Sequence, residues 1–365
     1  MKKKSLLWVL PALGAGLGFC KGDWDFTPDR FTEQDYSHIM DTNIRRRGRN
    51  PRVVDIAMLG AHDALSDGIG AKSPPDPNSP DVAILSNPLA AFIGGGLVAR
   101  LSRAQKSRAY DLARRGVRFF DVRCTYADGQ WHTLHGLLSR PLEDCLRELI
   151  RFMDETRGEV LVLSFHQVFG ASAEALLEWL PTVRERGKSL FDFVRYDAGA
   201  IPLGELRYND VAKDGSGAVL LLEPGEKCYS KEQLYGLWHD TNDPDALLRG
   251  VERENAMLKE EMGGRGDCFR WSQSQLTPQL SWPAVLRAAP DWSLLMMAHR
   301  FNHRLLERMS EWLPQIPVIS VDYADDMNRG FNDRAVEIIN GYNRDGAPHN
   351  HPGLRATPPR RGMGD

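Results

Sequence analysis

The chain is predicted to form a single α/β domain of the (β/α)8 TIM-barrel type, and three observations lead there. Short apolar runs recur along it, at Val53 to Leu59, Val117 to Arg123, Trp131 to Leu134, Val160 to Phe165, Ala218 to Leu222, Cys268 to Gln273 and Val318 to Asp322. Runs of this length and composition read as strands buried on both faces. The stretches between them carry apolar residues at helical spacing, such as Leu142, Cys145, Leu146, Leu149, Ile150 and Met153, then Ala173, Leu176, Leu177 and Leu180. Strand and helix in repetition require a mainly parallel sheet. Third, 365 residues that are 42% hydrophobic can bury one core of barrel size. An open doubly wound sheet is the runner-up, but no glycine-rich phosphate fingerprint follows any strand.

The ends of the chain are read separately from this domain. Met1 is followed by three lysines and then by an uncharged stretch from Ser5 to Cys20, the pattern of a secretory signal. Residues 1–20 are therefore set aside as a signal peptide, 21–344 as the barrel domain, and 345–365, rich in Pro, Arg and Gly, as a disordered tail. The expected location is secreted or attached to the cell envelope. Cys20 allows a second route, lipidation as in lipoproteins, although Phe19 is bulkier than the residue usual before such a cysteine. The remaining cysteines, Cys124, Cys145, Cys228 and Cys268, have no ligand-like spacing, so no zinc site is expected. One or two disulfides and buried free thiols both stay open for them. With a net charge of −3 and no basic stripe, the chain offers nothing to hold a nucleic acid.

Polar residues with useful chemistry gather at the C-terminal ends of the strands, the catalytic face of a barrel. The first run ends in Ala61-His62-Asp63, a histidine able to take and return a proton near neutral pH followed by a carboxylate. Gly116 to Arg123 ends with Asp121 and Arg123 on one face, since side chains two apart in a strand point the same way. A guanidinium at a strand end needs an anionic partner, from protein or substrate. Next comes Trp131 to Gly136, with His135 at its end and His132 assigned to packing or surface.

Ala-His-Asp, Gly-Val-Arg-Phe-Phe-Asp-Val-Arg, His-Gly and Glu159 to Phe165, in that order, resemble the X-domain core of phosphatidylinositol-specific phospholipases C. The resemblance covers roughly residues 53 to 168 and resumes at Val318 to Tyr323. It implies a distorted barrel and a phosphotransfer followed by hydrolysis. It implies His62 as general base oriented by Asp322, His135 as general acid partnered by Asp63, and Arg123 on the phosphate. In-line attack on a phosphodiester does need a base, an acid and a cation at the equatorial oxygens. In the calcium-dependent relatives the position of Arg123 resembles a carboxylate ligand, so a fixed cation here predicts no catalytic metal, and no cofactor is expected. Further substrate contacts are assigned to His166, standing where bacterial members carry a lysine, and to Asp121.

The arginine that the family places near Val219 to Glu223 is missing, which leaves the head group open among phosphatidylinositol, related glycerophospholipids and glycolipids. Tyr229, Tyr235 and Trp238 are sugar-stacking candidates or packing aromatics. Val82 to Val98 reads equally as an interfacial helix or a buried flanking helix. His299 and His303 lie four apart but lack the glutamate of a metalloprotease helix, so they are assigned to a solvated face, as is Arg45 to Arg47. The expected partner is a phospholipid membrane surface, with the chain taken as a monomer. The alternatives are an inactive lipid- or sugar-binding barrel, and a glycerophosphodiester phosphodiesterase, which would require a His-Arg-Gly start and a carboxylate cluster.

Overall fold

The computed structural model describes residues 32–78, 96, 98–278 and 293–346. The signal stretch, Cys20, most of Val82 to Val98 and the tail beyond Gly346 lie outside these residues. A short helix α1 (Ile39–Asn43) and a 3-10 turn at Val53–Asp55 lead into strand β1 (Met58–Ala61). There follow α2 (Ala109–Arg114), β2 (Val117–Ala127), β3 (Gln130–His135), β4 (Leu137–Pro141), α3 (Leu142–Glu155), β5 (Val160–Phe169) and α4 (Ala173–Trp179). A small hairpin, β6 (Arg184–Glu185) and β7 (Lys188–Ser189), precedes α5 (Tyr208–Ala212) and β8 (Gly217–Leu222). The last third holds β9 (Tyr229–Ser230), β10 (Leu234–Tyr235), α6 (Pro244–Arg265), β11 (Phe269–Gln273), α7 (Leu294–Leu305), α8 (Met309–Trp312), β12 (Val318–Val321) and α9 (Phe331–Asp345).

Eight parallel strands run in the order β10-β11-β12-β1-β2-β5-β8-β9, so neighbours in space are neighbours in chain order and β1 lies beside β12. This is the single-domain (β/α)8 barrel expected from the sequence, distorted by a seam between β9 and β10, which do not pair. Both seam strands are two residues long. The barrel interior is apolar at its waist, where Met58, Phe119, Val162, Val219, Trp271 and Val318 share the inward face and are all buried. Around it α3 lays Leu142, Cys145, Leu146, Leu149, Ile150 and Met153 inward, the stripe that its spacing predicts.

Two expectations need correction. Trp131 to Leu134 is not a barrel stave: β3 pairs antiparallel with the far end of β2, Cys124 opposite Thr133, and rises above the barrel as a flap with β4. Its alternation suits a half-covered hairpin as well as a stave, which is why periodicity alone misplaced it. The first run opens as a 3-10 turn at Val53–Asp55, and its strand begins at Met58. The last helix, α9, ends at Asp345, where the residues assigned to the tail begin. Cys124, Cys145 and Cys228 are buried free thiols, and burial pushes the Cys228 thiol up to about 12.

Candidate active site

Three of the strand ends that deliver the predicted site residues terminate in a left-handed backbone. His62 is followed by Asp63 at φ 42°, Asp322 by Tyr323 at φ 49°, and His135 by Gly136 at φ 68°. Left-handed backbone is uncommon outside glycine and gathers where a side chain must be aimed. Each reversal turns the chain out of its strand just beyond a polar side chain.

β1 and β12 bring His62 and Asp322 together. The ladder runs to Ala61 opposite Val321, and its last rung is His62 N–H donating to Val321 O at 3.0 Å. Beyond it, His62 Nδ1 lies 2.8 Å from Asp322 Oδ1. With Nδ1–H assigned to that carboxylate, Nε2 accepts from Arg123 Nη2 at 2.9 Å. Burial opposes a charge on His62, but Asp63 and Asp322 outweigh it and hold the imidazole above its usual pKa, while Arg123 pulls the other way. With that assignment Nε2 carries no proton and can act as a base, and the two carboxylates stand ready to stabilise the imidazolium.

Arg123 is the centre of the cluster. Nε lies 2.5 Å from Asp63 Oδ1, and Nη2 lies 3.2 Å from Asp121 Oδ2. Asp63, whose side chain is fully buried, also places Oδ2 3.2 Å from His135 Nδ1 and 3.4 Å from His62 Nε2. Burial would raise Asp63, yet Arg123, His135 and His62 together hold it below the usual carboxylate range. Burial raises Asp322 in spite of His62. Neither Asp63 oxygen nor Arg123 Nε has a partner in hydrogen-bond alignment, so these contacts are ion pairs without directed bonds. Asp121 lies beneath, fully buried, with Oδ2 accepting from Asp63 N–H at 3.2 Å.

His135 enters from the β3 flap. Its Nδ1–H donates to Ser102 O at 2.8 Å, and its ring stands edge-on to His62 with centroids 6.0 Å apart. The side chain is 29% exposed against 8% for His62, so the two histidines differ in access to the mouth. His166 arrives by a bulge: Val122 pairs with Phe165 and Arg123 with Gln167, leaving His166 as the extra residue. Its ring lies 5.8 Å from that of Trp271 on β11, across the barrel.

Among the described residues one group could hold a metal, His62, Asp63 and Asp121, whose ligand atoms lie within 4.8 Å of one another. Arg123 stands within 2.5 to 3.2 Å of all three, so a guanidinium already fills the place a cation would take. The donor set does not fit a metal as it stands.

Outside the cluster, Tyr229 is buried and stacks on Tyr196 at 5.2 Å, a packing role. Tyr235 is half-buried, and Trp238 is exposed with its indole N–H donating to Thr277 at 2.9 Å. The histidines of α7 do not form a solvated face. His299 Nε2 lies 3.0 Å from the buried Asp326, and His303 bonds Arg329 at 2.6 Å. Arg45 to Arg47 is solvated as expected, with Arg46 and Arg47 exposed, while Arg45 and Arg46 also pair with Asp41. Sequence reasoning missed Ser66 and Gln105, whose side chains bond to the backbone around the site, and Ser102, whose carbonyl accepts from His135; single polar residues in an aperiodic stretch leave no pattern to find.

No family model matches the chain. It is 24% identical over 307 residues to PI-PLC X domain-containing protein 3 of Danio rerio, covering 80% of this chain and 89% of the relative. It is 26% identical over 153 residues to the variant-surface-glycoprotein phospholipase C of Trypanosoma cruzi, covering 40% and 39%. A phosphatidylinositol-specific phospholipase C of Staphylococcus aureus superposes with a TM-score of 0.56 at 15% identity, covering 80% of this chain and 94% of that one. The fold is that of a phospholipase C barrel. The chain itself is related to the PI-PLC X-domain family, with its solved likenesses among the bacterial members.

Proposed function

We propose that the chain is a metal-independent phosphodiesterase that cleaves phosphatidylinositol, or a lipid with a related head group, at a membrane surface. The observation that carries this reading is the placing of two imidazoles, 6.0 Å apart and edge-on, on either side of one arginine and one shared carboxylate. His62 Nε2 takes the proton of a head-group hydroxyl, whose oxygen attacks phosphorus. His135 Nε2, with Nδ1 anchored on Ser102 O, gives a proton to the departing diacylglycerol oxygen. The P–O bond to diacylglycerol breaks as the ring P–O bond forms, and the product is a cyclic phosphate. Water then adds with the two histidines exchanging roles.

Arg123 receives the nonbridging oxygens, where charge accumulates, and does so as a fixed cation in place of a metal. Asp322 and Asp63 hold the imidazolium forms, and Asp121 supports Asp63 and Arg123 from beneath. His166, half-buried and backed by the Trp271 ring, is the side chain offered to the head group. The membrane as partner is supported by the S. aureus likenesses, two of them solved in work on that enzyme's membrane binding. No helix among the described residues is long and apolar enough to cross a membrane. The leader and Cys20 support an exported or envelope-attached enzyme.

The test is release of soluble phosphorylated head group from phosphatidylinositol vesicles by wild type, His62→Ala and His135→Ala, with and without EDTA. Each histidine variant is expected to lose about 10²- to 10⁴-fold, and EDTA to change nothing. Activity on another diester alone, with the same losses, keeps the mechanism and discards inositol; the T. cruzi relative's name makes glycan-linked lipids the next substrate arm. Inhibition by EDTA overturns the role given to Arg123.

A further inference from the structure

We propose that Gln105 is a positioning residue for the His62–Asp322 pair, acting through the backbone of the two strands that carry it. The inference rests on the phosphodiesterase reading above, which assigns that pair its task. Gln105 lies in a polar stretch, Ser102 to Arg108, yet its side chain is fully buried. A carboxamide has two N–H donors and one oxygen acceptor, and here all three are spent on one junction. Nε2 donates to His62 O and to Val321 O, both at 2.9 Å, and Oε1 accepts from Ala324 N–H at 3.0 Å.

The placement of these bonds carries the argument. The β1–β12 ladder ends at Ala61 and Val321, so His62 and Asp322 stand just past the last paired residues. Parallel strands diverge once their ladder stops, while the pair must meet at 2.8 Å. Gln105 extends the ladder by a side chain, tying the carbonyl of His62 to the residues on both sides of Asp322. Its own backbone is fixed in turn. Ser66 Oγ donates to Asp63 O at 2.8 Å and accepts from Ala104 N–H and Gln105 N–H at 3.0 and 3.1 Å. The neighbouring Ser102 O holds His135. Because Gln105 has no exposed surface it touches no substrate, and its effect reaches the chemistry through His62 alone.

The structure supplies a matched control. Asn343 places the same kind of amide on the same strand at its other end: Nδ2 donates to Ala57 O at 2.8 Å, and Oδ1 accepts from Ala57 N–H at 2.9 Å. Both sites orphan buried backbone groups when the amide is lost, so both variants are destabilised.

The experiment compares Gln105→Met with Asn343→Met in the full chain by melting temperature, by kcat and KM on phosphatidylinositol, and by the downfield proton resonance of His62 Nδ1–H, assigned by its loss in His62→Ala. Gln105→Met is expected to lower kcat about 10- to 100-fold, to leave KM within about twofold, and to broaden or erase the Nδ1–H resonance. Asn343→Met should lower the melting temperature comparably while leaving the resonance and kcat intact. Equal losses of kcat in both variants, tracking their melting temperatures, overturn the proposal, as does an unchanged resonance in Gln105→Met. Should Gln105→Met fail to fold, Gln105→Glu keeps the volume and the acceptor but has at most one O–H donor for the carbonyls of His62 and Val321, so one tie is lost, and the same resonance decides. The proton readout needs no turnover, so a wild type inactive on phosphatidylinositol sinks the substrate reading and leaves this test standing.

Discussion

Strand β2 carries two arginines, Arg118 buried near its start and Arg123 partly open toward the mouth of the barrel, and their surroundings differ in kind. Arg118 donates to Glu159 at 2.8 Å, to the carbonyls of Ala113 and Val117 at 2.6 and 2.9 Å, and to Tyr36 O at 2.7 Å. Glu159 is filled from its other side by Met40 N–H and Asp41 N–H at 3.1 and 3.0 Å. Arg123 has more carboxylate around it but fewer directed bonds, with Asp63 and its own Nε out of alignment. Its side chain keeps 14% of its surface open, where Arg118 keeps none. A saturated ion pair at the floor ties strands together; an under-saturated one at the mouth is held ready for an anion that comes and goes.

Substitutions sharpen that contrast. Arg118→Leu leaves Glu159 buried without its cation and should cost about 3–5 kcal/mol in urea unfolding, with kcat retained while the chain stays folded. A small change would show that the floor pair is not structural. Arg123→Leu should reverse the pattern, losing about 10²- to 10³-fold in kcat with a smaller fall in unfolding midpoint than Arg118→Leu. Comparable falls would break the distinction between the two ends.

A smaller effect concerns pH. His62 is held above its usual pKa by Asp63 and Asp322 against the cost of burial. A base must be unprotonated, so the acid limb of kcat/KM should lie above about 6.5, the free histidine value. Asp322→Asn removes one of the two carboxylates and should move that limb to lower pH; an unmoved limb would remove Asp322 from the cause. The same shift acts on stability. A folded pKa above the unfolded one contributes stability that is present below the unfolded pKa and lost as pH rises through the folded value. His62→Gln should therefore flatten the fall in stability above about pH 6.5.

The staves with long apolar runs, such as Val160 to Phe165 and Ala218 to Leu222, were legible because burial on both faces leaves consecutive hydrophobic positions. β9 and β10 were not, since two residues apiece carry no period, and β3 was misread because a hairpin strand shares the signature of a stave. In the site, the rule that chemistry sits at C-terminal strand ends brought His62, Asp63, Arg123, His135 and Asp322 into view, and the structure gathers them. His166 was visible as a residue but not as a bulge, which depends on register. Gln105 and Ser66 left no trace because their work is done on backbone atoms, which every sequence possesses equally.

The pairing of β1 with β12 also governs when the site can exist. His62 and Asp322 are separated by 260 positions, and the strands that join them stand at opposite ends of the barrel sequence. A chain still emerging from the ribosome has His62, Arg123 and His135 but lacks the carboxylate that orients its base until the eighth stave is made. Any fragment ending before Val318 is likewise without it, so the activity proposed here is withheld by topology from every copy that stops short of the last stave.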